Sequence, residues 1–140
     1  MKLKHLLTLV AACSIAVPAF TRAEDDTPMG KEMDKISTAL KAVNRNIEDA
    51  GQKAANLEKI AAAKAACDAA VKYDPVKTKE IPAAGKEKFL IDFQASMSEL
   101  GKHLDALKAA VEAGKTADAK AIYEKIMAQK KDGHNKFKAD

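Results

Sequence analysis

The sequence has no tryptophan and only two tyrosines and four phenylalanines in 140 residues. So few aromatic side chains give nucleic-acid bases little to stack on. Excess charge of one sign is also scarce: the formal net charge is +4, and residues 1–23 contain three basic residues and no acidic one. Residues 24–140 are therefore close to neutral, with 21 basic and 20 acidic residues. Because binding to phosphates needs a basic surface, we predict that the protein does not bind nucleic acid.

Motifs for catalysis are missing as well. The chain contains no GxSxG, P-loop, HExxH, CxxC or CxxCH sequence, which excludes the common nucleophile, phosphate, zinc-protease and covalent-haem sites. The sequence therefore predicts a protein that is not an enzyme.

The N-terminus predicts a secretory signal peptide over residues 1–23. Lys2 and Lys4 precede an apolar run over 6–20, which is followed by small residues up to Ala23. This run is shorter than the roughly 20 residues that span a bilayer. We therefore expect an exported chain of residues 24–140 with no membrane segment. An alternative is that Cys13 is the lipidated residue of a lipoprotein cleavage site.

Cleavage leaves Cys67 as the single cysteine, so no disulfide can form within the exported chain. Cys67 lies among alanines, which predicts a small apolar side chain inside a helix. A redox sensor or an intermolecular disulfide is the functional alternative.

The apolar residues recur with helical spacing. Residues 24–140 include 24 alanines, and alanine favours helix. Thr27 and Pro28 predict the start of the first helix. Its apolar positions then follow at spacings of three and four: Met33, Ile36, Leu40, Val43 and Ile47.

Breaks in this pattern divide the chain into four helices. We predict that Gly51 ends the first, that the second runs to about Tyr73, and that the third spans about Ala83 to Gly114. Thr116 is the predicted N-cap of the fourth, which runs to about Phe137. The fold class is therefore all-α, a single antiparallel up-down-up-down four-helix bundle.

This topology places Met33 and His134 at the same end of the bundle. On a helical wheel His134 shares the apolar face of Tyr123 and Met127, so it points into the bundle. A thioether facing an imidazole suits haem iron better than zinc or magnesium. Four of the five aromatic residues of the exported chain are expected near the same opening: Tyr73, Phe89, Phe93 and Phe137.

Spacing alone leaves another interpretation open. Met33 and the aromatic residues would then be ordinary core, and His134 a residue of a frayed helix end. His103 lies beside the apolar stripe of the third helix and is expected at the boundary or the surface.

Two stretches of the sequence, 33–43 and 114–134, resemble the first and last helices of the soluble cytochrome b562 family, and Asp92-Phe93 fits the third. The resemblance implies a periplasmic electron carrier that binds one b-type haem per chain without a covalent bond. Met33 and His134 match the family's axial ligands. The residues that match haem-contacting positions are Ile36, Leu40, Phe93 and Met97, with Lys130 at the position of a propionate-binding arginine.

The resemblance leaves several points to be tested. Gly133 replaces an aromatic residue next to His134, and Met29 competes with Met33 as the thioether. With both axial positions filled, electron transfer with transient redox partners is expected, and we expect a monomer. The alternatives are a haem-free exported bundle that acts as a stress or binding protein, and a copper(I) protein using Met29, Met33 and His134.

Overall fold

Four helices account for most of residues 26–139, the part of the chain that this computed structural model describes. The helices are α1 (Pro28–Asn46), α2 (Lys53–Ala70), α3 (Ala83–Glu112) and α4 (Thr116–Phe137). The described residues include no strand, which confirms the predicted all-α class. The predicted signal peptide and Cys13 lie outside the described residues.

Helix α1 begins as the sequence predicts but ends earlier. The Thr27 hydroxyl accepts a hydrogen bond from the Gly30 amide at 3.0 Å, and Pro28 occupies the first turn. The end at Asn46, not at Gly51, is a correction. Asn56 donates a side-chain hydrogen bond to the Asn46 carbonyl, whereas Gly51 belongs to a separate 3₁₀ turn (Ala50–Gln52).

Two other predicted helix boundaries also need correction. Helix α2 ends at Ala70 and not at Tyr73. Thr116 is the first residue of α4 and not its N-cap, since Lys115 holds that position without a side-chain cap. Gly114 explains why α4 already begins at Thr116. It ends α3 as predicted, with a left-handed φ of 68°, and only Lys115 separates it from α4.

The helices pack in chain order: α1 against α2, α2 against α3, and α3 against α4. Helix α2 contributes small buried residues to this core: Ala63, Ala66, Cys67 and Ala70. Larger side chains from the other helices fill the space between them, among them Leu40, Leu104, Leu107 and Ile126. The arrangement confirms the predicted four-helix bundle.

The pair α1 and α4 closes the bundle but has much less contact than the other three neighbouring pairs. The bundle is therefore tightly packed on three sides and open along the fourth. No helix within residues 26–139 is long and apolar enough to cross a membrane.

Candidate functional site

The open side of the bundle forms a cleft of about 210 Å³ between α1 and α4. Helix α3 lies behind it and contributes part of its wall. All seven predicted site residues line this cleft: Met33, Ile36, Leu40, Phe93, Met97, Lys130 and His134. Residues separated by up to a hundred positions in sequence thus surround one space, and their function in binding a cofactor stays a prediction.

A cross-helix hydrogen bond fixes the register of α1 against α4. The Lys130 ammonium group donates to the Ser37 hydroxyl at 2.8 Å. A second link, between Lys120 and Glu48, is farther along the same seam and agrees with the same antiparallel register.

This register puts Met33 and His134 at the same height. Met33 lies four residues before Ser37 on α1, and His134 lies four residues after Lys130 on α4. Because the helices are antiparallel, each is about one turn, or about 6 Å, from the hydrogen-bonded pair in the same direction. The two side chains therefore lie on opposite walls of the cleft.

Met29 also lines the cleft and is 8% exposed. It is one further turn toward the start of α1, so the same register places it opposite Lys138 instead of His134. The structure thus distinguishes two methionines that the sequence left in competition.

The predicted burial of His134 needs a correction. His134 lines the cleft but is exposed, while Met33 is half-buried. The helical wheel assumed a complete partner helix on each side of α4. Since α1 has little contact with α4 along this seam, the histidine lies at the rim of the opening.

Aromatic rings close one end of the cleft. Phe137 meets Phe89 and Phe93 edge-on, with ring centroids 5.4 and 5.5 Å apart. Phe93 and Phe137 line the cleft, whereas Phe89 is buried behind them. Tyr73, which was also predicted near this opening, follows the end of α2 at Ala70, is 41% exposed and does not line the cleft.

Charged groups line the cleft, and of these Asp34, Lys41 and Lys138 were not predicted from the sequence. Lys130 is half-buried, and its pKa is lowered by burial and by the charges of Lys41 and Lys138, against an opposing effect of Asp34. Asp34, Ser37 and Lys41 follow each other at spacings of three and four on α1. That spacing, adjacent to the apolar stripe, was the signal that could have identified them.

A hydrogen-bonded group braces α3 against α4 at the back of the cleft. The Gln129 amide nitrogen donates to the Ser96 carbonyl at 2.7 Å, and its oxygen lies 2.9 Å from Nδ1 of His103. With the amide oriented in this way, Nδ1 of His103 must carry the proton. His103 is half-buried, in agreement with the predicted boundary position.

The donor set fits a flat apolar group with a soft metal and peripheral carboxylates. Residues 26–139 contain no cluster of three or more histidine, cysteine or acidic side chains that could hold a bare metal ion. A thioether and an imidazole on opposite walls suit iron in a macrocycle. The apolar side chains provide surfaces for its faces, and the lysines at the opening suit its acidic groups.

These features define a class: a four-helix bundle with a candidate haem cleft along its open seam. Comparison with known families agrees, because the sequence profile of cytochrome b562 matches residues 28–138. The chain belongs to the cytochrome b562 family, whose members are haem-binding electron-transfer proteins and a standard example of this bundle. Searches of curated proteins and of solved structures found no match.

Proposed function

We propose that this chain is a periplasmic electron carrier that binds one b-type haem non-covalently, with Met33 and His134 as the axial ligands. The observation that carries the proposal is the register set by Lys130 and Ser37, which brings Met33 and His134 level across one apolar cleft. Family membership supports the cofactor class.

When bound, haem supplies an iron that cycles between the ferrous and ferric states. Met33 and His134 would hold this iron from opposite walls of the cleft, and the chemistry that it would supply is the transfer of one electron. The thioether favours the ferrous iron, because it is a soft ligand and a poor match for the harder ferric ion.

The remaining wall residues would orient the haem and exclude water. Ile36 and Leu40 of α1 face Phe93 and Met97 of α3 across the cleft. All four are at most 5% exposed, so they present apolar surface to the ring. A dry, apolar environment limits reorganisation of solvent when the charge of the iron changes.

Lys130 would bind a haem propionate. Its ammonium group currently donates to Ser37, and a carboxylate is a stronger acceptor than a hydroxyl. Lysine acts as a point charge where arginine would bind in a fork. We therefore propose a single charge-assisted contact at this position.

The test uses visible absorption spectra of the exported chain, residues 24–140, produced with added haem. We expect sharp low-spin bands on reduction. Met33→Ala and His134→Ala should each change the iron to a high-spin state, because one axial position becomes vacant. Transport to the periplasm is tested separately, by fractionating cells that express all 140 residues.

Met29→Ala is the matched control, since Met29 lines the same cleft one turn away. It should keep the low-spin spectrum. A protein that stays colourless with added haemin would contradict the proposal and favour the haem-free bundle. If only the Met29 variant lost the low-spin bands, the thioether ligand would be Met29 and not Met33.

Copper(I) binding is a second candidate, favoured by the presence of three soft or borderline donors in one cleft: Met29, Met33 and His134. A titration of the haem-free chain with copper(I) tests it. Met29→Ala should weaken copper binding if this candidate is correct, although the same substitution should leave haem binding intact.

A further inference from the structure

The two helices that border the cleft carry most of the net charge. Together α1 and α4 contain nine basic and five acidic side chains, a net charge of +4. Helices α2 and α3 contain seven of each, a net charge of zero. Positive charge is therefore concentrated in the half of the bundle formed by α1 and α4. We name the surface of these two helices around the cleft the cleft face.

Ion pairing leaves several cations of the cleft face without an acidic partner. Some lysines in both halves of the bundle pair with an acid one turn away on their own helix, as Lys64 does with Asp68 on α2 and Lys35 with Glu32 on α1. On the cleft face Lys41, Arg45 and Lys131 are exposed. None of these three has a carboxylate within 4.0 Å in the described part of the chain.

The exposed apolar residues lie elsewhere. In the described range the large hydrophobic side chains with substantial exposure are Val71, Tyr73 and Ile91. All three belong to α3 or to the segment after α2. Binding to an anionic membrane surface combines basic residues with inserted apolar ones. A surface with cations and no such apolar residues is better suited to a protein that presents complementary charge.

We propose that the cleft face docks a redox partner protein whose own contact surface is rich in carboxylates. The inference rests on the proposed function, because the haem would then lie at this face, where electrons leave and enter. Two ionised propionates would reduce the net charge of +4 on α1 and α4 but would leave this pair of helices positive. Attraction between opposite charges speeds the encounter of such partners without requiring a large interface.

The first experiment does not need haem. Haem-free residues 24–140 are applied to immobilised poly-L-glutamate, and the salt concentration for elution is measured. A cleft-face variant carries Lys41→Gln, Arg45→Gln and Lys131→Gln. Its matched control carries Lys53→Gln, Lys72→Gln and Lys102→Gln, which remove the same charge from exposed positions on α2, just after α2 and on α3. We expect the cleft-face variant to elute at clearly lower salt than the control.

The second experiment measures electron exchange of the haem-loaded protein with two small reagents. Oxidation by anionic ferricyanide should slow by about tenfold when ionic strength rises from about 10 mM to about 200 mM, because salt screens the attraction. Oxidation by cationic tris(phenanthroline)cobalt(III) should become faster. The cleft-face substitutions should reduce both salt effects, and the control substitutions should leave them unchanged.

The outcomes separate the two proposals. Equal elution of the two triple variants would overturn the inference, as would binding to anionic phosphatidylglycerol vesicles in preference to poly-L-glutamate. Failure to take up haem would contradict the proposed function and with it the redox role of the partner. The column experiment still tests the charge of the cleft face by itself, since it uses the haem-free chain.

Discussion

The two long sides of the bundle differ in how they are filled. Between α2 and α3 small residues such as Ala66 and Cys67 let the helices approach closely, and the Cys67 thiol donates to the Met97 carbonyl at 3.4 Å. Between α1 and α4 the sparse packing leaves a cleft, and a polar contact from Lys130 to Ser37 crosses it. The side between α2 and α3 therefore maintains the fold, whereas the side between α1 and α4 leaves space for a ligand.

Truncating a leucine on each side should give the largest contrast. Leu104 is fully buried, whereas Leu40, which is 1% exposed, lines the cleft. In the haem-free protein we expect Leu104→Ala to lower the free energy of unfolding by about 3 to 5 kcal/mol and Leu40→Ala by about 2 to 3 kcal/mol. The cleft variant costs less because its missing atoms extend an opening that already exists. Urea unfolding measures both, and equal losses would contradict the distinction between the two sides.

Alkaline pH should weaken the packed side through Cys67. Burial raises the pKa of its thiol from 9.0 to about 11. The stabilisation is fully present below pH 9, where the thiol is protonated in both states, and is lost as the pH rises from 9 to 11, because only the unfolded chain ionises there. The loss approaches about 2 kcal/mol.

Cys67→Ala provides the reference for this measurement. Its unfolding free energy should show a smaller decrease between pH 9 and 11 than that of the native sequence. Parallel pH profiles would mean that the thiol does not cause the decrease. At pH 8 the native thiol should also react slowly with a disulfide reagent until the chain is unfolded.

Replacing Lys130 should affect stability and haem binding in opposite directions. Burial lowers its pKa, so the charged form is unfavourable in the haem-free fold. Lys130→Met should therefore raise the thermal midpoint of the haem-free protein slightly. It should weaken haem binding by about tenfold, because a charge-assisted contact to a propionate is lost.

Lys130→Arg tests the same position from the other direction. A guanidinium fork should bind haem more tightly than the lysine does. Unchanged haem affinity in both variants would show that Lys130 does not contact the haem. It would not affect the proposal that Met33 and His134 are the axial ligands. Haem titration followed by absorbance provides the measurement.

Two glycines should give the smallest effects, again of opposite sign. A Cβ atom at Gly133, on the cleft side of α4, would meet nothing within 4 Å. Gly133→Ala should therefore stabilise the helix by about 0.5 to 1 kcal/mol. Gly114 has a φ of 68°, and Gly114→Ala should destabilise the protein by about 1 kcal/mol because a side chain strains that backbone. Thermal unfolding of the haem-free variants distinguishes them, and shifts of the same sign would contradict this account.

Much of the site followed from the sequence because its apolar positions obey helical spacing. Ile36, Leu40, Phe93 and Met97 were all predicted to face inward, and each is buried at the cleft. Local patterns predicted the start of α1 and the end of α3 but failed at three other helix ends. Thr116 is a good capping residue by type, yet the short turn after the left-handed Gly114 makes it the first residue of α4 instead.

The polar members of the cleft were harder to predict. Asp34, Lys41 and Gln129 are residue types that usually face solvent. Helical spacing places Asp34 and Lys41 beside the apolar stripe, but it does not show that a cleft lies next to them. Whether they line a cleft depends on how closely α1 and α4 approach each other, and these two helices have little contact. His134 shows the same limit, since its helical face was correct but its exposure depended on how closely α1 approaches.

By itself the sequence determined the four helices, their order and the inward face of each, because alanine content, turn residues and the repeat of apolar positions act locally. Tertiary structure alone decided that one of four seams stays open, that Met33 and not Met29 is level with His134, and that positive charge gathers around the opening. Those properties depend on the register and separation of α1 and α4. Residues far apart in the chain set both through side-chain packing and through the Lys130–Ser37 and Lys120–Glu48 contacts.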